Sequence, residues 1–189
     1  MKKLCVFASG AGSNAENIIR YFQDKKLAEV VLVVTNRPDA GVVSKAAHLG
    51  VTVLPINKSY FTDPDGLTRT LTEKGIDLVI LAGFLWLIPP PLIRAFSGKI
   101  VNIHPSLLPK YGGKGMYGTH VHEAVIAAGE KESGITIHLV DEVYDRGKIL
   151  LQQHCQVTAS DTPASLAEKI HLLEHRFYPE LIESLVLKS

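Results

Sequence analysis

The chain has 189 residues, 46% hydrophobic and 21% charged, with 20 Lys and Arg against 19 Asp and Glu for a formal net charge of +1. That length suits one domain, the composition supports a sizeable core and excludes a disordered chain, and the charge balance leaves no global field for nucleic acid. The two cysteines, Cys5 and Cys155, form no CxxC pair and lie in apolar runs, so they read as buried thiols of a reducing compartment. The opening Met1-Lys2-Lys3-Leu4 leads into an apolar run that Ser9-Gly10 breaks too early for a signal peptide, and no run approaches membrane-spanning length. The expectation is a soluble, cytoplasmic protein with no nucleic-acid or membrane partner and no internal repeat.

In chain order, Leu4 to Ala8 reads as a strand ending at Ser9-Gly10-Ala11-Gly12-Ser13-Asn14. Ile18, Ile19 and Phe22 then recur at helical spacing, with Ser13 or Asn14 as the N-cap. Strand, glycine turn and helix start together make an anion cradle: glycines let the backbone approach, and the first N–H groups of a helix lack internal partners. Gly10 to Ala15 also fits the dinucleotide pattern G-x-G-x-x-A, which wants an acidic residue after the second strand. Here Val30 to Val34 runs into Thr35-Asn36-Arg37, and Asp39 lies beyond Pro38, so a phosphomonoester is favoured over a nicotinamide dinucleotide.

A helix through Val43, Ala46, Ala47 and Leu49 stops at Gly50, and Val51 to Ile56 makes a third strand. Phe61 to Asp65 caps a helix predicted over 65–74 and closed by Gly75. Asp77 to Leu81 is nearly all apolar, as a parallel strand covered on both faces should be. Repeated strand–helix alternation predicts an α/β fold: a Rossmann-like, doubly wound, mostly parallel sheet in one domain over 1–189. The apolar run Ala82 to Ile88 follows the fourth strand as either core or ligand wall, and Pro89-Pro90-Pro91 opens a short helix.

Ile100 to Ile103 is a fifth strand leading into a turn stiffened by Pro105 and Pro109. Side chains alternate along a strand, so Asn102 and His104 share a face, at the strand end where open α/β sheets bind ligands. Residues 112–118 hold four glycines and read as a mobile loop with Lys114 in solvent. Thr119 is placed to cap the next helix, through Val121, Ala124 and Val125; His120 and His122, two apart, share no helical face and make a poor metal pair. Gly134 to Val140 sets Ile135, Ile137 and Leu139 against Thr136, His138 and Val140, and Ile149 to Val157 is expected to pair with it antiparallel as a C-terminal extension. The acidic loop Asp141 to Lys148 lies between them. A last helix starts at Asp161-Thr162-Pro163, turns Leu166, Ile170, Leu173, Phe177 and Leu181 inward, and sets His171 and Glu174 on one face.

A histidine beside a carboxamide, with a carboxylate in reach, suits acyl transfer. Amine attack on a carbonyl creates an oxyanion to which imidazolium and amide N–H can donate, and a carboxylate favours the charged imidazole. Asp141, Glu142 and Asp145 are the candidates for that carboxylate. No serine or cysteine has a nucleophile-elbow context, so direct transfer is favoured over a covalent intermediate. Two other classes stand beside this reading: a nicotinamide-dependent oxidoreductase, and a non-catalytic nucleotide-binding module in which His104 is structural.

Asn102 to Tyr111, the loop Ser9 to Asn14, Leu81-Ala82-Gly83-Phe84, Asp141 to Gly147, and Glu174-His175 with Tyr178-Pro179 occur in the order found in one family. The chain resembles the phosphoribosylglycinamide formyltransferases of purine synthesis over nearly its whole length. The resemblance implies formyl transfer from 10-formyltetrahydrofolate, as co-substrate and without a metal, to the amine of 5-phosphoribosylglycinamide. It implies Asn102, His104 and Asp145 as catalytic residues, and Gly12, Ser13, Asn14 and Glu174 as substrate-binding residues. Leu85, Trp86, Leu87 and Ile88, with Asn102, Asp141 and Tyr144, would hold the folate, so the N-terminal half is the phosphate side and the C-terminal half the folate side. The bond before Pro109 is a candidate cis peptide. The initiator-tRNA formyltransferase carries an extra C-terminal domain and formyltetrahydrofolate deformylase an N-terminal one, and neither is expected here. The chain departs from the family at Trp86 and near Pro64, where arginines are frequent, at His171 for a frequent glutamine, and in the longer loop Gly112 to Gly118.

Overall fold

Seven strands form one sheet in the order β3-β2-β1-β4-β5-β6-β7. A computed structural model describes residues 1–188. β1 (Lys2–Phe7), β2 (Ala28–Thr35), β3 (Thr52–Pro55), β4 (Leu78–Leu81) and β5 (Ile100–His104) run parallel. β6 (Glu132–Leu139) pairs antiparallel with β5, and β7 (Ile149–Gln156) antiparallel with β6. The chain builds outward from β1 in one direction through β2 and β3, then returns to β1's other side with β4. The carboxyl ends of β1 and β4 therefore flank the switch point where doubly wound sheets bind ligands. Ser9 N–H donates there to the Gly83 carbonyl at 3.1 Å.

Strand alternation separates two apolar layers. Leu4 and Val6 of β1 face α1 (Ser13–Lys25), α2 (Gly41–His48), α6 (Thr119–Ala127) and α7 (Pro163–Lys188). Cys5 and Phe7 face α3 (Lys58–Thr62), α4 (Arg69–Glu73) and α5 (Pro90–Ala95). No helix among the described residues is long and apolar enough to cross a membrane.

Several local expectations are corrected. Neither Ser13 nor Asn14 caps α1: the N-cap is Gly12 at φ 74°, and both residues lie inside the first turn, which frees their side chains for other partners. Thr119 likewise lies inside α6, whose N-cap is Gly118. The helix predicted over 65–74 is a π turn over Pro64–Thr68, kinked at Gly66, that runs into α4, and α3 precedes it as a separate short helix. Asn57 starts α3 by accepting the Tyr60 N–H, and a Cβ at Gly66 would sit 2.2 Å from the Tyr60 carbonyl oxygen, so the kink needs glycine. Along α7 the buried line is Leu166, Ile170, Glu174, Tyr178, Ile182 and Val186, whereas Leu173, Phe177 and Leu181 are only partly buried beside it. Cys5 is buried, Cys155 is only half-buried, and both are free thiols.

Candidate active site

The carboxyl ends of β1, β4 and β5 open into a cleft of about 780 Å³, walled by the loop after β6 and by α7. β5 delivers Asn102 and His104, and its antiparallel pairing sets Asn102 opposite His138 and His104 opposite Thr136. Side chains opposite one another share a face, so the sheet's change of direction brings a second imidazole beside the carboxamide. Asn102 Nδ2 donates to His138 Nε2 at 3.1 Å. His138 Nδ1 lies 2.8 Å from the Leu139 carbonyl oxygen, which can only accept, so that nitrogen carries the proton and Nε2 is free to receive.

The same logic fixes His104. Its Nε2 lies 2.7 Å from the Tyr111 carbonyl oxygen and so holds the ring's proton, leaving Nδ1 toward Asp145 Oδ2 at 3.6 Å. Asp145 Oδ2 also accepts the Gly113 N–H at 2.8 Å, and Oδ1 lies 3.5 Å from His138 Nε2. Tyr111 and Asp145, which flank His104 from two loops, both take left-handed backbone conformations at φ 55°. Such conformations cost non-glycine residues on the order of 1–3 kcal/mol and collect where geometry is held for function.

Burial governs the charges. It pushes His104 below the ordinary histidine value, against the opposing pull of Asp145 and the Tyr111 carbonyl. Burial also penalises the Asp145 carboxylate, but His138 and His104 when protonated, together with the Gly113 N–H, bring it below the usual carboxylate range. Asp145 does favour the charged ring, as expected, but burial favours the neutral one more strongly. The resting pair is an ionised Asp145 facing a neutral imidazole, because desolvating the ring outweighs the attraction across 3.6 Å.

The turn beneath this pair is tied into β6. Thr136 Oγ1 donates to the Ser106 carbonyl at 2.7 Å and accepts the Leu108 N–H at 3.0 Å, while Ser106 Oγ donates to the Lys110 carbonyl at 2.7 Å. The Leu108–Pro109 bond is cis.

At the other end of the cleft, Gly12 to Asn14 open α1. A Cβ at Gly12 would sit 2.6 Å from Val42 Cβ, so this left-handed turn packed against α2 admits only glycine. Asn14 Nδ2 donates to Glu174 Oε2 at 2.9 Å, joining the glycine turn to α7. Above β4, Ser9 Oγ donates to Asn36 Oδ1 at 2.6 Å and accepts the Leu85 N–H at 3.0 Å, which fixes the start of the apolar loop.

A model of the formyl transferase family matches residues 2–182. The chain belongs to the formyl transferase family. It is 46% identical over 187 residues to the chloroplastic phosphoribosylglycinamide formyltransferase of Arabidopsis thaliana, covering 96% of this chain and 64% of that protein. It therefore spans somewhat less than two thirds of that relative. The phosphoribosylglycinamide formyltransferase of Bacillus subtilis is 35% identical, with 98% of this chain and 95% of that protein covered. The crystal structure of phosphoribosylglycinamide formyltransferase from Bacillus halodurans superimposes with a TM-score of 0.87 at 38% identity, over 98% of this chain and 95% of the other.

The residues expected from the formyl transferase resemblance all border this one cleft. Of the three carboxylate candidates, only Asp145 reaches His104; Asp141 instead accepts the Val143 N–H at 2.8 Å within its own loop. The run Ala82 to Ile88 is both core and wall. Ala82 and Ile88 are buried, Phe84 and Trp86 pack on the core, and Leu85 and Leu87 stay 41% exposed. Trp86, at the frequent arginine position, has its ring centroid 5.4 Å from that of Phe61 and the Lys58 ammonium 4.7 Å from its own. His171 and Glu174 do meet, Nδ1 to Oε2, at 3.3 Å. Among the described residues no group of three or more His, Cys, Asp and Glu is arranged to hold a metal.

Two cleft residues carry no role in the sequence reading. His138 was visible only as one member of an alternating strand, and its signal is the β5–β6 pairing rather than any local motif. His122 is 7% exposed on α6, and its Nδ1 has no partner. Burial lowers its pKa, against Glu174, and His104 adds to the lowering.

Proposed function

We propose that this formyl transferase moves a formyl group from 10-formyltetrahydrofolate to the amine of 5-phosphoribosylglycinamide in purine synthesis. The observation that carries the reading is the Asn102–His104–Asp145 arrangement at the end of β5, between an anion cradle on one side and an apolar wall on the other. The cleft volume suits two small ligands together. The phosphoribosyl end fits Gly12, Ser13 and Asn14, where free helix N–H groups meet a phosphate, with Glu174 on the ribose. A flat folate ring fits between Leu85, Trp86, Leu87 and Ile88 and the loop holding Asp141 and Tyr144.

The amine nitrogen attacks the formyl carbon, the new C–N bond forms, and the carbonyl electrons move onto oxygen. Asn102 Nδ2 keeps one hydrogen on His138 and offers the other to that oxyanion. The proton shed by the amine passes to His104 Nδ1, the unprotonated nitrogen, where Asp145 stabilises the resulting imidazolium. The positive charge of the imidazolium also stabilises the oxyanion. As the intermediate collapses, the bond to the donor nitrogen breaks and that nitrogen takes the proton, which restores neutral His104.

The test is formyl transfer from 10-formyltetrahydrofolate to the ribonucleotide by wild type and His104→Ala. The expected result is activity in wild type that falls by about 10²–10⁴ in a folded variant. A wild type that consumes no donor overturns the reading, and donor consumption without the ribonucleotide points instead to hydrolysis.

A further inference from the structure

The residues from Tyr111 to Gly113 touch both members of the His104–Asp145 pair. The Tyr111 carbonyl oxygen holds the His104 Nε2 proton at 2.7 Å, and the Gly113 N–H donates to Asp145 Oδ2 at 2.8 Å. Between them Gly112 is packed so closely that a Cβ would run into Leu108 Cδ2 and sit 3.4 Å from Asp145 Cβ. Tyr111 itself is left-handed at φ 55°. A non-glycine residue keeps such a conformation only where its surroundings over-determine it. The anchor lies outside the cleft. The Tyr111 hydroxyl donates to Glu130 Oε1 at 2.9 Å, and the same oxygen takes the Lys110 ammonium at 2.9 Å. We propose that Glu130 is a positioning residue for His104, acting through the Tyr111 hydroxyl to aim the Tyr111 carbonyl at Nε2 and so keep Nδ1 open toward Asp145. Its effect on turnover rests on the function proposed above; its effect on the imidazole does not.

The fold gives Glu130 a fixed place from which to act. It lies in the turn between α6 and β6, where its N–H donates to the Val125 carbonyl at 3.4 Å, and Val125 is buried in the core. β6 in turn pairs with β5, the strand that carries His104. Ring and anchor therefore stand on one frame, and the segment between them is stretched from one to the other. Hydrogen bonds from Lys110 and Tyr111 hold the Glu130 carboxyl below the usual carboxylate range, while burial pushes the Tyr111 phenol up. Near neutral pH the carboxylate is thus ionised and the phenol keeps the proton it donates. Of the two contacts on Oε1, the ion pair is the weaker hold, because the Lys110 side chain is 67% exposed and screened by solvent. The half-buried phenol belongs to the residue whose carbonyl meets His104.

The test reads the imidazole and the turnover separately. Nitrogen–proton NMR correlation spectra of the histidine rings, with His104 identified by its loss in His104→Ala, report which ring nitrogen carries the proton. Wild type should show the Nε2–H form. In Glu130→Ala and Tyr111→Phe the two nitrogen shifts of His104 should draw together, as the proton divides between Nε2 and Nδ1. The same variants should lose about 10- to 100-fold in kcat, the cost of a misaimed group, with both KM values little changed and the circular dichroism of wild type. Glu130→Gln keeps an acceptor oxygen for the phenol and should recover most of the loss in both readouts, although it gives up the charge facing Lys110. An unchanged His104 tautomer in Glu130→Ala and Tyr111→Phe overturns the proposal, and so does a Glu130→Gln that behaves as Glu130→Ala. A wild type that transfers no formyl group overturns the function proposed above instead, and the tautomer comparison still decides the role of Glu130.

Discussion

His104 Nδ1 and Asp145 Oδ2 lie 3.6 Å apart, while the one proton fixed on that ring sits on the far nitrogen against the Tyr111 carbonyl. Two acceptors face each other with room for a proton between them. In the proposed transfer the pair would receive the proton that arrives with the amine, and its carboxylate would stabilise the imidazolium in a buried site. Asp145→Asn keeps an oxygen for the Gly113 N–H but removes the charge. Its kcat should fall by about 10²–10⁴ with the melting temperature near wild type. Steady-state kinetics with calorimetry check this, and a variant retaining most of its kcat would remove Asp145 from the chemistry.

The pH dependence follows from the direction of the His104 shift. Burial lowers its pKa, so the ring is neutral at pH 7 and can accept a proton. On acidification it charges, and the rate should fall on an acid limb centred below the ordinary value of about 6.5. In Asp145→Asn the raising influence of the carboxylate is lost, so the limb should move to still lower pH. The sign for stability is the same. Between about 6.5 and the native value, the unfolded chain holds a proton that the native ring refuses, so stability falls as pH falls through that window. Imidazole proton shifts in NMR would follow His104 directly, and a titration above the ordinary value would contradict the burial argument.

Asn102 has two amide hydrogens and one structural partner. Asn102→Ala should reduce kcat by about 10²–10³, the cost of one lost oxyanion donor, with little change in either KM. Asn102→Asp should be worse, because its carboxylate offers no donor and adds a negative charge near Asp145. Measuring kcat and KM separately for both substrates distinguishes lost oxyanion donation from lost binding.

Much of the site was legible because it lies in short contiguous stretches. Asn102 and His104 follow from strand alternation, and Gly12 to Asn14 from the strand–glycine–helix order. Both depend on neighbours within a few residues. His138 was not legible in this way, because its partnership with Asn102 depends on the antiparallel pairing of strands thirty-six residues apart. The choice of Asp145 over Asp141 and Glu142 needed the family resemblance, since all three occupy one acidic loop and only the backbone turn at φ 55° aims one of them inward. The desolvation of His104 was not legible for a related reason: sequence displays the carboxylate that favours the charged ring but not the burial that outweighs it. In the fold, the parallel order was readable from apolar runs, whereas the kink at Gly66 comes from close approach to Tyr60, a tertiary detail without a propensity signal.

Tyr178 connects the longest helix to the catalytic strand. It is fully buried on α7, and its hydroxyl donates to the Leu81 carbonyl at 2.9 Å, at the end of β4, and to the Val101 carbonyl at 3.2 Å, near the start of β5. Burial drives its pKa well above the ordinary tyrosine value, so it remains a donor at any working pH. Glu174, one turn earlier on the same helix, borders the cleft, so the hydroxyl's hold on α7 bears on the carboxylate proposed to meet the ribose. Tyr178→Phe keeps the ring and removes only the donor. It should cost about 1–3 kcal/mol of stability in urea unfolding, the penalty for a buried polar group left without its partner. If the helix also positions Glu174, KM for the ribonucleotide should rise while KM for the formyl donor stays constant. An unchanged unfolding midpoint would mean that packing of the ring, not the hydroxyl, holds α7 against the sheet.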